Sequence, residues 1–226
     1  NATWVEAETI IISTGATAKY LGLPSEQRLR GGGVSACAVC DGFFYKGQDV
    51  AIVGGGDTAA EEATYLANIC SKVTMLVRGD QMRASKAMQH RVNSTKNIDV
   101  RFNTEVDEVI GEQVVEGLRM LNKETGEKEQ IDITGLFIAI GHKPNTDIFK
   151  GKLTMDDTGY LITEGKSTKT NIPGVFASGD VQDKIYRQAV TAAGTGCMAA
   201  LDAERYLAEI ESEEGEEVKT TKKVEA

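Results

Sequence analysis

Cys37 and Cys40 stand two residues apart, and Asp41 follows the second thiol directly. The chain has four cysteines, and two thiols at this spacing close the smallest loop that can cycle between dithiol and disulfide. Such a cycle needs an electron source, and a nucleotide-binding pattern follows at once. Residues 49–53, Asp-Val-Ala-Ile-Val, run into Gly54-Gly55-Gly56-Asp57-Thr58-Ala59, a strand that opens through a glycine turn into a helix. Gly54-x-Gly56-x-x-Ala59 is the dinucleotide fingerprint. Its first glycine makes the tight turn, its second lets the backbone approach a pyrophosphate, and the small third residue allows helix and strand to pack closely. The helix start, Asp57 and Thr58, adds free N–H groups and a positive dipole end for phosphate, and Asp57 is placed to cap it.

The end of the next strand selects the nucleotide. An acidic residue there would bond the ribose 2′-hydroxyl of NAD, whereas cations suit the 2′-phosphate of NADP. The chain has Arg78 at that end and Arg83 five residues on, with Asp80 between them, so NADPH is the expected cofactor; two plain surface arginines are the alternative. For Cys37 and Cys40 the alternatives are half a zinc site or a pair of small packing residues. Zinc needs two more ligands, and Cys70, Cys197, His90 and His142 offer no second pair at workable spacing, so no metal is expected. Cys70 and Cys197 read as packing residues on apolar helical faces. Asp41 is placed either to exchange a proton with the thiols or to cap a helix.

Around this centre the pattern is that of an α/β protein. Strands are expected at residues 9–14, 49–53, 72–77, in two short pieces over 98–110, in a hairpin over 114–133, at 136–140 and around 160–163. Helices are expected from about Thr58 through Cys70, over 85–94 and over 187–210, the last interrupted by Gly194 and Gly196. Residues 16–33 read as a linker, and the acidic stretch after Ile210 as disordered. Net charge is −9; the last sixteen residues carry six acids and three lysines, so −3 lies there and −6 on the body. An acidic body without basic clusters argues against nucleic acid and anionic membranes as partners. No apolar run approaches the roughly 18 residues of a membrane helix, and sparse cysteines with one CxxC suit the cytoplasm.

Several stretches in fixed order carry a family resemblance: Ala36-Cys37-Ala38-Val39-Cys40-Asp41-Gly42-Phe43-Phe44, the GGGDTA turn, Ala139-Ile140-Gly141-His142-Lys143-Pro144-Asn145, Gly174-Val175-Phe176-Ala177-Ser178-Gly179-Asp180, and Tyr186-Arg187-Gln188-Ala189. Together they resemble the low-molecular-weight, bacterial and plant type thioredoxin reductases over residues 9–210. The resemblance implies two Rossmann-like, three-layer nucleotide-binding domains, an FAD domain split by an inserted NADPH domain that bears the CxxC. On that map residues 1–20 are a remnant of the first half of the FAD domain and 21–145 the NADPH domain. Residues 146–210 are the second half of the FAD domain, and 211–226 a tail. Thr14, Gly15, Ala16, Asp180, Val181, Arg187, Gln188 and Ala189 would belong to the flavin site, Asp180 bonding the ribityl chain. Cys40 would face the flavin, Cys37 would exchange with thioredoxin, and Asp41 would be the acid–base residue. The resemblance also implies a homodimer, and a rotation of the NADPH domain for which 31–33 and 141–145 are the expected hinges.

Two departures from the family pattern stand out. Where members usually carry His-Arg-Arg after the second strand, this chain reads Val77-Arg78-Gly79. The amino-terminal part of the FAD domain, with a glycine fingerprint of its own, is not found, so a chain longer by roughly 100 residues, about one domain's worth, is expected. The FAD domain of this chain is therefore expected to be incomplete. Two other readings remain: the flavoprotein subunit of alkyl hydroperoxide reductase, whose CxxC usually contains Pro-His where this chain has Ala38-Val39, and a noncatalytic NADP(H)-binding module.

Overall fold

The structure, a computed structural model, describes residues 3–224, with side chains to residue 213. In chain order the elements are β1 (Ile10–Ile12), β2 (Ala16–Ala18), α1 (Pro24–Arg28), β3 (Val34–Ser35), α2 (Ala38–Asp41), β4 (Asp49–Val53), α3 (Asp57–Ala67), β5 (Lys72–Leu76), α4 (Lys86–Ser94), β6 (Ile98–Arg101), β7 (Thr104–Ile110), β8 (Gly117–Asn122), β9 (Lys128–Asp132), β10 (Gly135–Ile138), β11 (His142–Pro144), β12 (Val175–Ala177) and α5 (Ala189–Val224). The chain forms two units. One is Ala18–Gly141, and the other joins the residues up to Thr17 with those from His142 on. The crossings fall a few residues before the expected boundaries at 20 and 145.

The Ala18–Gly141 unit is built on a parallel sheet of order β3-β10-β4-β5-β6. Its inner strands β10, β4 and β5 read as largely apolar runs because both faces are covered. Along β4 the side chains alternate: Val50 and Ile52 join a core with Ala59, Ala63 and Leu66 of α3, while Ala51 and Val53 join Val109, Leu118 and Met120. That second face is closed by the antiparallel sheet β7-β8-β9. The result is the expected three-layer α/β class. The parallel register sets Ile138 beside Val53, Val53 beside Leu76 and Leu76 beside Arg101, so the carboxyl ends of four strands share one edge. Ligands of open α/β sheets bind at such an edge.

In the other unit β1 pairs with β12 in parallel. Ile12, Leu153, Leu161, Ala177 and Val181 make a small core. Helix α5 seats Ala199 and Ala203 on Phe176, with Tyr206 edge-on to the same ring.

Several expectations are corrected. Residues 9–14 do not form a buried strand: Ile10 and Ile11 are 52% and 43% exposed, because β1 pairs with a single strand. Residues 16–33 are not a bare linker: the crossing between units falls at their start, after Thr17, and the segment holds β2, α1 and a turn into β3. Gly31–33 lies inside a unit and is no hinge between units. A Cβ on Gly33 would stand 2.7 Å from Val115 Cγ2, and one on Gly32 2.2 Å from the Gln113 carbonyl. Around residues 160–163 there is only an isolated bridge, Met155 to Leu161. Helix α5 starts at Ala189 because Arg187 has φ +47°, a left-handed conformation that a helix cannot include. It runs unbroken through Gly194 and Gly196 and past Ile210 to Val224, where disorder was expected; Glu and Lys, abundant there, favour helix. Residues 225 and 226 lie outside the described residues.

Candidate redox and nucleotide site

Cys37 and Cys40 are joined as a disulfide with their Cα atoms 5.3 Å apart, which takes up the sulfurs that the zinc reading needs. Cys37, half-buried and extended, is the N-cap of α2, and its Sγ accepts from the Cys40 N–H at 3.2 Å. Cys40 is exposed. The short helix is anchored by the fully buried Ala38 and by Gly42, where a Cβ would come within 2.9 Å of Leu66 Cδ2 on α3. Asp41 ends α2 and its side chain caps no helix. Its Oδ2 accepts instead from the Ser35 hydroxyl at 2.5 Å, and that hydroxyl accepts from the Cys37 N–H at 3.1 Å.

Ser35, 8% exposed at the end of β3, therefore ties the carboxylate to the start of the dithiol helix. Sequence reasoning missed it, although a serine two residues before a cysteine that opens a helix is a local signal. It also missed Phe43 and Phe44, which are 68% and 74% exposed beside the disulfide. The remaining thiols lie elsewhere in the chain. Cys70 lies beyond the end of α3 rather than on its face, buried, and burial, then Asp49, pushes its thiol up to about 11. Cys197 is exposed on α5, so it is not the packing residue expected; the flank of α5 that carries it, with Met198 and Leu201 also exposed, is left uncovered among the described residues.

The glycine turn follows β4. Gly54 has φ +149°, and a Cβ on it would lie 2.5 Å from the Ala139 carbonyl and 2.7 Å from Ala59 Cβ. The small Ala59 and the bare Gly54 thus let α3 close on the sheet, as the fingerprint requires. Gly56 is the N-cap of α3, and a Cβ there would meet nothing within 4 Å. Open space at the end of a helix whose first N–H groups lack intrahelical acceptors fits a pyrophosphate. Gly54→Ala is expected to cost of order 1–3 kcal/mol, as overpacking does, and to weaken NADPH binding. Thermal unfolding and nucleotide titration check both; an unchanged melting temperature would contradict the packing account.

Asp57 is the first residue of α3 and does not cap it. Its Oδ1 accepts from the Ser85 N–H at 2.8 Å, while the Gly55 carbonyl accepts from Arg83 N–H at 2.7 Å and Ala84 N–H at 3.0 Å. The Ser85 backbone, then its hydroxyl, lowers the Asp57 carboxyl below its ordinary value. A depressed carboxyl contributes above its unfolded value, and the contribution is lost as pH falls through the folded one; the contact is therefore intact at neutral pH. Arg78 and Arg83 are exposed, and among the described residues neither guanidinium has a carboxylate partner. Thr58 is exposed at the helix start.

The other residues expected in a cofactor site share the second unit. Because Ile12 pairs with Ala177 in parallel, residues 13–16 and 178–181 leave the sheet side by side. The Ser13 and Ser178 hydroxyls bond at 2.6 Å. Asn145 fixes the Thr14–Ala16 segment: it accepts from Thr14 Oγ1 at 2.8 Å, donates to the Thr14 carbonyl at 2.8 Å and accepts from Thr17 Oγ1 at 2.9 Å. Asp180 is half-buried, and its carboxylate has no hydrogen-bond partner among the described residues, which fits a ligand hydroxyl. Val181 is fully buried in the core of this unit. Arg187 and Gln188 sit in a loop gathered by Asp183, whose carboxylate accepts from the Ile185, Tyr186 and Arg187 N–H groups; Ala189 opens α5, exposed. Gly194 and Gly196 have nothing within 4 Å of a Cβ.

The family model of the pyridine nucleotide-disulphide oxidoreductases matches residues 1–196. The chain is 54% identical over 92% of its length to a thioredoxin reductase of Streptomyces clavuligerus, covering 65% of that protein. It is 52% identical over 95% of its length to one of Streptomyces coelicolor, covering 67%. Among solved structures, thioredoxin reductase from Giardia duodenalis superposes with a TM-score of 0.83 at 44% identity, over 88% of this chain and 66% of that one. The chain thus spans about two thirds of the length of these relatives.

Proposed function

Since the chain belongs to the pyridine nucleotide-disulphide oxidoreductases and, among them, to the thioredoxin reductases, we propose that it carries the redox centre of an NADPH-dependent thioredoxin-disulfide reductase. The observation that carries this reading is the Cys37–Cys40 disulfide, set in the same unit as a dinucleotide turn and beside a carboxylate held by Ser35. When bound, NADPH supplies a hydride and FAD accepts it and passes an electron pair to a disulfide.

The chain's own residues do the rest. Gly54, Gly56 and the N-terminus of α3 hold the pyrophosphate, and Arg78 and Arg83 hold the 2′-phosphate. Thr14, Gly15, Ala16, Asp180, Arg187, Gln188 and Ala189 belong to the flavin site. The reduced Cys37 attacks the thioredoxin disulfide as a thiolate, forming a mixed disulfide and releasing one thioredoxin thiolate. Cys40 then attacks the Cys37 sulfur and releases the second. The Cys37–Cys40 disulfide is restored, and thioredoxin has gained two electrons and two protons. Asp41 exchanges the protons these steps require. The exposed rings of Phe43 and Phe44 offer an apolar rim beside the disulfide to a docking protein. We take the working protein to be a cytoplasmic homodimer, and Gly141, with φ +96° and nothing within 4 Å of a Cβ, to be a hinge between dithiol positions. No helix among the described residues is long and apolar enough to cross a membrane.

Turnover of NADPH with oxidised thioredoxin tests the function. Cofactor choice has its own test at Gly79. A Cβ there would meet only the Gln81 carbonyl, at 3.8 Å, so an arginine is sterically free to enter. Gly79→Arg is expected to tighten NADPH by about tenfold, one charged hydrogen bond's worth, and to leave NADH nearly unchanged. An equal gain for both nucleotides would count against a 2′-phosphate site.

A further inference from the structure

We infer that Asp57 is a positioning residue for 2′-phosphate recognition: it pins the loop bearing Arg78 and Arg83 to the glycine turn instead of touching the nucleotide. The inference rests on the NADPH reading above and deepens it.

Three hydrogen bonds cross from this loop to the turn. Arg83 and Ala84 give their N–H groups to the Gly55 carbonyl, and Ser85 gives its N–H to Asp57 Oδ1. From beneath, Met82 and Ala84 are buried in the same core as Ala59 and Ala60 of α3. At its other end the loop is tied by the Asn103 N–H to the Gly79 carbonyl at 2.9 Å. Between these fixings the Arg83 side chain points out of the core, exposed. Ser85 is also the N-cap of α4, its Oγ accepting from the Met88 N–H, so Asp57 settles where that helix begins.

The charge of Asp57 makes the assignment sharper. A carboxylate in the first turn of a helix suits the dipole, but here it stands where a pyrophosphate is expected and opposes that ligand's charge. A compensating task is therefore needed, and the Ser85 contact supplies one. Asp57 acts on the nucleotide in two separable ways: its charge bears on NADH and NADPH alike through the shared pyrophosphate, and its acceptor oxygen bears only on the loop that reads the 2′-phosphate.

Isothermal titration of the 226-residue chain with NADPH and with NADH separates the two. Asp57→Ala is expected to lower the ratio of NADPH to NADH affinity by about three- to tenfold, the loss of part or all of one charged contact. Asp57→Asn keeps an acceptor for Ser85 and should hold that ratio within about twofold of the parent. Arg83→Ala should lower it as Asp57→Ala does, and the double variant should fall no further, because both act through one contact. Should Asp57→Ala not fold, Asp57→Ser replaces it: serine is good at a helix start but too short to reach Ser85, and it carries the same expectation. An unmoved ratio in the Ala or Ser variant overturns the inference, and so does an equal fall in the Asn variant. A parent chain with no preference for NADPH would instead overturn the assignment of Arg78 and Arg83, a result distinct from the first two.

Discussion

Cys37→Ser is expected to abolish NADPH-dependent reduction of thioredoxin while leaving NADPH affinity intact. A serine oxygen cannot form the mixed disulfide through which electrons leave, and Cys40 alone can neither be restored to a disulfide nor release a trapped partner. The other two thiols are not expected to stand in, since neither has a second cysteine at CxxC spacing. Cys70 is buried with its thiol pushed up to about 11, hence protonated at neutral pH, and Cys197 lies in the other unit. The assay uses an enzyme assembled from this chain and the part of a relative that the chain does not span. Turnover should drop to background in Cys37→Ser and persist in Cys70→Ser and Cys197→Ser. The nucleotide turn is separate from the sulfurs in sequence and built by other elements, so titration with NADPH should give the parent value. Residual turnover in Cys37→Ser, or its loss in Cys197→Ser, would contradict the assignment.

Purified as the 226-residue chain, the protein is expected to take up NADPH and little FAD. An FAD pyrophosphate needs a strand, a glycine turn and a helix start. Among the described residues one such unit occurs, β4 through Gly54 and Gly56 into α3, and it is assigned to NADPH. The Thr14–Ala16 and Asp180–Ala189 segments offer groups for the ribityl chain and ring but none of this kind for the ADP half. The sheet they spring from has two strands, β1 and β12, and Ile10 and Ile11 are exposed on it, a surface prone to self-association. The Ala18–Gly141 unit has two cores of its own, so it should fold and bind nucleotide. A visible spectrum after purification with added FAD, beside an NADPH titration, decides the matter. A stoichiometric flavin band would show that the segments present suffice.

What the sequence revealed followed local rules. The glycine turn, the strand before it and the helix after it sit where the fingerprint places them, because backbone conformation and small-residue packing are set by neighbours in the chain. The apolar runs at β4, β5 and β10 were legible for the same reason, being covered on both faces. Long-range partners were not. Asp57 looked like a cap and proved to hold Ser85, 28 residues on. Asp41 was read as a cap or as an acid–base residue; it caps no helix, and its carboxylate is held by Ser35, which no spacing argument singled out. Ile10, Ile11 and Cys197 have the composition of core residues and are exposed, since burial depends on a covering layer that residue type alone cannot supply. Gly31–33 resembled a linker, yet a Cβ on Gly32 or Gly33 would have no room against Gln113 and Val115, and Gly31 turns the chain with φ +77°.

The central claim is that electrons from NADPH arrive at Cys37 and Cys40 and go on to thioredoxin. It is tested most directly by thiol mapping of the assembled enzyme, alkylated and digested before NADPH, after one equivalent of NADPH, and after subsequent oxidised thioredoxin. The expected result is that Cys37 and Cys40 are protected at first, become alkylated together after NADPH, and are protected again once thioredoxin is added. Consumption of NADPH with Cys37 and Cys40 still joined would contradict the account.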